Sequence, residues 1–352
     1  MLSLLVTFLG AFLTLIVMRP IANKIGLVDK PNYRKRHQGA IPLIGGVSLF
    51  MGNLCYYLME WDQLRLPYLY IFSIFVLLAI GILDDRFDIS PFLRAGIQAV
   101  LAILMIDLGN VYLDHLGQIL GPFQLTLGSI GLIITVFATI AIINAFNMID
   151  GIDGLLGGLS IVSFAAIGIL MFRDGQMDMA YWSFGLIIAI LPYLLLNLGI
   201  PLGPKYKVFM GDAGSTLIGF TIIWILLLST QGKGHPMNPV TALWIIAVPL
   251  IDMVAIIYRR LRKGKSPFRP DRLHHLMVRA GLTSRQAFLL ITFFAAICAT
   301  IGILGEVFYI NEWAMFIAFI ILFFLYAYSI TKAWKITRWV RRMKRRARRN
   351  KQ

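Results

Sequence analysis

The chain has 352 residues, of which 59% are hydrophobic and only 14% charged, and its formal net charge is +16. A soluble domain carries roughly a quarter charged residues, so this composition excludes a water-soluble globular protein. With a mean hydropathy of +0.78 and apolar runs of about 17 to 22 residues recurring from end to end, the chain reads as an all-α polytopic membrane protein.

Eleven candidate spans follow in chain order, at 2–18, 41–59, 68–83, 95–108, 128–149, 155–172, 180–199, 208–229, 240–258, 286–304 and 313–331. The first is an uncleaved span: Met1 to Met18 lacks a basic leader and an Ala-x-Ala site, and Arg19-Pro20 is expected to end it. An odd number of spans puts the termini on opposite sides. With the N-terminus outside and the C-terminus cytoplasmic, all 33 lysines and arginines except Arg65, Arg173 and Lys233 fall in inner connections or the tail, as the positive-inside rule requires. Residues 1–331 then form a single transmembrane domain and 332–352 a basic cytoplasmic tail. The tail's run Arg341 to Arg349 suits anionic lipid headgroups rather than nucleic acid. The outer connection 109–127 mixes short apolar stretches with Gly and Pro and predicts a small periplasmic β-hairpin. Cys55 and Cys298 fall in separate spans without metal-like spacing.

Every polar cluster falls at the inner end of a span. A cationic loop with His37 leads into span two. Asp84-Asp85 ends span three, with Asp88 one turn further on if the helix continues; adjacent carboxylates repel unless a cation intervenes. Asn144, Asn147, Asp150 and Asp153 interrupt the apolar run between spans five and six, among Gly151, Gly154, Gly157 and Gly158. Their period of three drifts around a helix, so the two amides are expected to end span five while the glycines turn the acids into a groove. Asp212 lies in Phe209-Met-Gly-Asp-Ala-Gly-Ser215 at the start of span eight, where free amides favour an anion. His274-His275 follow span nine among arginines and diverge too far on a helix to share one ion.

Each cluster has a plainer reading. Residues 144–158 could be a glycine-rich loop, Asp84-Asp85 interfacial acids, Asp212 an N-cap, and His274-His275 part of a solvated basic loop. Taken together on one face, hard oxygen donors ringed by arginine and histidine suit Mg²⁺ and a diphosphate. The residues point to metal-dependent phosphoryl chemistry in a cytoplasmic groove, on a lipid substrate.

These motifs, in this order from Arg34 to the tail, resemble the polyprenyl-phosphate N-acetylhexosamine-1-phosphate transferases. Asn32-Tyr-Arg-Lys-Arg-His-Gln-Gly39 and the chain from Ser266 onward are most similar to the bacterial undecaprenyl-phosphate GlcNAc-1-phosphate transferases. That subgroup starts enterobacterial common antigen and O-antigen of lipopolysaccharide. The resemblance implies an enzyme of the bacterial inner membrane using Mg²⁺ or Mn²⁺. Undecaprenyl phosphate and UDP-GlcNAc would give undecaprenyl-diphospho-GlcNAc and UMP.

Residue by residue, the resemblance implies Asp212 as metal ligand with Asn147 beside the metal or diphosphate. Asp84 and Asp85 match an acidic pair that binds metal or deprotonates the lipid phosphate. Asp150 and Asp153, with Asn197 and Phe209, match positions holding uridine and the reacting phosphates. His37, Arg94, His274 and His275 match positions around the diphosphate and sugar. One departure stands out: Asp271-Arg-Leu-His-His275 replaces the family's His-x-His-His, so either Arg272 substitutes for the first histidine or that histidine is dispensable. Similar proteins are often homodimers, though nothing in this sequence shows it.

Two rivals remain. A phospho-N-acetylmuramoyl-pentapeptide transferase would share the aspartates but carry a triple histidine and a Lys-x-Gly-Thr-Pro-Thr-type first loop, and this chain has neither. A transporter or flippase would place ionisable groups near the midplane, often with repeated halves, whereas only Asp252 lies well inside a span.

Overall fold

The computed structural model describes residues 2–30, 39–61, 65–232, 234–262, 264 and 282–329. Helix α1 (Leu2–Ile25) leads into strands β1 (Val28–Asp29) and β2 (Ile41–Pro42), which pair antiparallel. Helices α2 (Gly45–Met59), α3 (Pro67–Phe87), α4 (Pro91–Asp107), α5 (Ser129–Ile149), α6 (Leu155–Arg173), α7 (Met177–Asn197) and α8 (Gly211–Thr230) follow. The chain continues through α9 (Pro239–Ile245), α10 (Ala247–Leu261), α11 (Ser284–Val307) and α12 (Glu312–Ser329).

Among the described residues, eight helices are long and apolar enough to cross a membrane, or nine if the bent pair α9–α10 is one span. Each of the eleven predicted segments coincides with a helix or with that pair. Helices α2 and α4, at 15 and 17 residues, are shorter than the ~20 residues of a full crossing. The helix starts follow local chemistry. Pro67 and Pro91 sit in first turns, where no amide donor is needed. Ser90 Oγ accepts from the Leu93 amide at 3.3 Å. Thr283 and Gln286 form a reciprocal capping box at α11.

Two expectations are corrected. Arg19-Pro20 does not end the first helix, which runs on to Ile25 with Pro20 inside it; the lost amide bond is offset by the helix's packing on α2 and α7. Asp88 does not share a face with Asp84: the helix stops at Phe87, and Asp88 turns into the left-handed region at φ 55 as its C-cap. By contrast, Asn144 and Asn147 lie in the last turns of α5, which ends at Ile149 as the predicted span does, and both amides find partners within the bundle.

The connection 109–127 folds back on itself as expected, but as one antiparallel bridge between His115 and Thr126 rather than as extended strands. Leu116 and Leu125 support it through amide bonds of 2.8–2.9 Å.

Helix α8 is the axis of the bundle, with 94% of its apolar window buried, and it packs against α2, α3 and α5. Close approach is made possible by small residues: a Cβ on Gly81 of α3 would lie 2.2 Å from the Ala213 Cα of α8. A buried polar network ties α8 to α2, α3 and α7. Asn53 donates to Tyr70 Oη at 2.8 Å, Tyr70 Oη pairs with Thr221 Oγ1 at 2.8 Å, and Trp182 Nε1 donates to Asn53 Oδ1 at 3.2 Å.

The α9–α10 pair bends by 80° at Ile246. That break leaves Pro249 in the first turn of α10, where its missing N–H costs no helical bond. Asp252, inside α10, is buried and accepts from Tyr326 Oη of α12 at 2.7 Å. Among the described residues both cysteines are free. The basic tail lies outside the described residues.

Candidate active site

Four helix ends meet at one end of the bundle: the C-terminal ends of α3 and α5 and the N-terminal ends of α4 and α8. They bring together residues far apart in sequence. The Arg94 Nη1 atom of α4 binds Asp84 Oδ2 of α3 and, at 3.0 Å, Asp212 Oδ2 of α8. Asp212 Oδ1 accepts from Asn147 Nδ2 of α5 at 2.8 Å, and the same amide reaches Ser215 Oγ at 2.9 Å. Asp84 is also anchored from its own chain, accepting from the Ile89 amide at 2.8 Å.

The neighbouring carboxylates have different surroundings. Asp84, on the buried side of α3, has only 3% of its side chain exposed and faces Arg94. Asp85 turns toward the start of α8, where Oδ1 accepts from the Asp212 amide at 2.8 Å and Oδ2 from the Ala213 amide at 3.4 Å. It thereby satisfies two of the orphan donors of a helix N-terminus. The approach requires glycine at 211: its φ is +78, and a Cβ there would lie 2.3 Å from Asp85 Oδ2. So the adjacent acids divide into one that meets the arginine and one that holds the backbone bearing Asp212.

A second cluster adjoins the first through the short stretch Phe209-Met-Gly-Asp212. Lys207 Nζ binds Asp153 Oδ2 at 2.6 Å and lies 5.2 Å from the centre of the half-buried Phe209 ring. Asp150 caps the end of α5. Asn197 is buried behind this cluster rather than open to a ligand. Its Oδ1 accepts from the Gly154 amide at 2.6 Å and its Nδ2 donates to the Val208 carbonyl at 2.8 Å. It holds the glycine turn of 151–154 against the loop carrying Lys207 and Phe209. Phe209 is fixed from the other side by strand β2, its amide donating to the Pro42 carbonyl at 2.9 Å.

Sequence reasoning missed four residues of this end. Arg19 of α1 donates to the carbonyls of Lys205, Tyr206 (2.7 Å) and Lys207 (3.4 Å), gathering the loop before Phe209. Lys207 and Arg19 both resemble ordinary orienting charges in sequence, and only the fold distinguishes them. Ser215 was within reach of a reader, since it lies one helical turn past Asp212. Gln98 of α4 accepts from Asn144 at 3.2 Å, which makes Asn144 a tie between α4 and α5. His37, Arg272, His274 and His275 lie outside the described residues.

The residues at this end that could hold a divalent cation beside phosphate are Asp212, Asn147 and Asp84. Among the described residues no three His, Cys, Asp or Glu side chains form a ready metal set. The protein oxygens of Asp212, Asn147 and Asp84 are few and hard, which matches Mg²⁺ that completes its octahedron with water and substrate phosphates. The guanidinium between Asp84 and Asp212 is itself a cation seated where these acids converge.

Residues 67–230, from the first residue of α3 to the last of α8, match the model of glycosyl transferase family 4. Three curated relatives carry the name undecaprenyl-phosphate α-N-acetylglucosaminyl 1-phosphate transferase. The protein of Haemophilus influenzae is 90% identical over 100% of this chain and 99% of its own length. That of Pasteurella multocida is 84% identical over 99% and 98%. That of Escherichia coli is 59% identical over 99% and 96%.

Proposed function

The chain belongs to glycosyl transferase family 4, and from that premise we propose that it transfers GlcNAc-1-phosphate from UDP-GlcNAc to undecaprenyl phosphate. The products are undecaprenyl-diphospho-GlcNAc and UMP, and the reaction opens lipid-linked surface polysaccharide synthesis. The observation that carries this reading is Asp212, presented at the N-terminus of α8 between Arg94 and Asn147 with Asp84 on the same guanidinium.

In the reaction, an oxygen of the lipid phosphate forms a bond to the β-phosphorus of the nucleotide sugar. The bond from that phosphorus to the bridging oxygen breaks, and UMP leaves with the electron pair. Asp212, Asn147 and Asp84 would hold Mg²⁺ or Mn²⁺, which offsets phosphate charge as it redistributes. Arg94 and Lys207 supply further positive charge for the phosphates. Asp84 is the acid on the reacting side, and Asp85 holds the turn that aims Asp212. The Phe209 ring, steadied by β2, offers a face for the uracil.

The enzyme is assigned to the bacterial inner membrane with this end toward the cytoplasm. Arg19, Arg86, Arg94, Lys205 and Lys207 gather at the aspartate end, as the positive-inside rule asks of a cytoplasmic face.

The test is release of UMP from purified protein given undecaprenyl phosphate, UDP-GlcNAc and Mg²⁺. Release with the muramyl-pentapeptide nucleotide alone would overturn the assignment. A parallel reaction with UDP-GalNAc decides the epimer.

A further inference from the structure

We propose that Arg94 is a tethered counter-ion that occupies the cation position between Asp84 and Asp212 and must leave it before a metal can bind there. The proposal rests on the metal-dependent reading above and adds an order of events to it.

Three carboxylates, Asp84, Asp85 and Asp212, converge within a few residues of the α8 N-terminus. Unbalanced, they would repel one another. Asp85 is offset by the amides of Asp212 and Ala213. Asp84 and Asp212 share one atom of one cation, Arg94 Nη1. The two acids differ in access: the Asp84 side chain is 3% exposed and that of Asp212 is 41% exposed. Asp212 is therefore the more accessible of the two acids, and its Oδ2 is already bonded to the guanidinium at 3.0 Å. A divalent cation and a guanidinium cannot both sit against that oxygen without strong repulsion.

Arg94 can move without unfolding the site. It lies in the first turn of α4, is half-buried, and hangs on a flexible stem. Asp84 keeps its bond from the Ile89 amide, and Asp212 keeps Asn147, when Arg94 withdraws. In the proposed reaction the donor's phosphates offer the guanidinium an alternative anion, so nucleotide draws it off the carboxylates and opens the position to the metal. Metal binding is therefore weak without nucleotide and strong with it.

Mn²⁺ titrated into the purified full-length protein, with free ion read by its paramagnetic resonance signal, tests this without turnover. Arg94→Gln should bind Mn²⁺ roughly tenfold more tightly than wild type in the absence of nucleotide, a coupling of ordinary size for two mutually exclusive ligands. Adding UDP-GlcNAc should narrow that gap. A residue that merely braced α4 against α8 would give the opposite sign, because its loss would loosen the site. Equal or weaker Mn²⁺ binding in Arg94→Gln overturns the counter-ion role alone. Absence of Mn²⁺ binding to either form, even with UDP-GlcNAc, overturns the metal reading and this inference together. Arg94→Met, a second neutral variant, carries the same prediction should Arg94→Gln not fold.

Discussion

The Asp85 carboxylate accepts a hydrogen bond from the backbone N–H of Asp212 at 2.8 Å, across 127 positions of sequence. This bond joins the end of α3 to the start of α8 and separates Asp85 from its neighbour Asp84, which faces Arg94 instead. Two acids that look equivalent in sequence therefore act on different atoms.

Replacing Asp85 should register in stability as well as rate. In Asp85→Asn the new amide nitrogen confronts the Ala213 N–H, and one cap bond is lost at a cost of about 1 kcal/mol. Thermal unfolding in detergent should shift downward, with turnover falling about tenfold or more. Asp84→Asn should lose turnover to a similar extent. Wild-type activity in either variant would remove that residue from the site.

Asp212→Asn should abolish metal-dependent UMP release while membrane insertion and yield stay as in wild type. The substitution keeps an oxygen for Asn147 but removes the charge on which a hard cation depends. Unchanged activity would place the metal elsewhere.

Arg19 acts on the nucleotide side through the loop it gathers. Arg19→Ala frees the carbonyls of residues 205–207, so Lys207 and Phe209 lose their fixed position. The KM for UDP-GlcNAc should rise about fivefold or more, with a smaller change in kcat, as expected when ground-state binding is lost. Arg19→Lys, which still donates to carbonyls, should recover part of the difference. An equal loss in kcat would indicate a role in the chemical step instead.

At the opposite end of the bundle, burial holds the His115 imidazole below the ordinary histidine range; His235, its ring 5.1 Å away, adds to this and Asp114 opposes it. The folded protein thus resists protonation more than the unfolded chain does. The resulting stability is present above the ordinary histidine pKa and is lost as pH falls through it. Melting temperature should drop between about pH 7 and pH 5, and His115→Gln should flatten that drop. An unchanged pH profile in the variant would assign the titration to another group.

Most of the fold was legible because a membrane imposes a length on its helices, and that length appears as uninterrupted apolar sequence. What escaped was local. The helix through Pro20 survives only because neighbouring helices hold it. The pairing of β1 with β2 involves two residues on each side, too few to alternate visibly. In the site, Asp84, Arg94, Asn147 and Asp212 form one hydrogen-bonded cluster. Asn197 proved to be a brace, since both polar atoms of its side chain are engaged by backbone.

By itself the sequence determined the membrane class, the helical segments, the gathering of polar groups at alternate span ends, and the family. The first three reside in composition and in spacing along one chain, and the family in the resemblance of its motifs. Only the tertiary structure decided which acid faces which partner. Side-chain direction at a helix end depends on where the next helix begins and on which amides it leaves unpaired. That is why Asp84 and Asp85, adjacent in the chain, became a partner of Arg94 and a cap for Asp212.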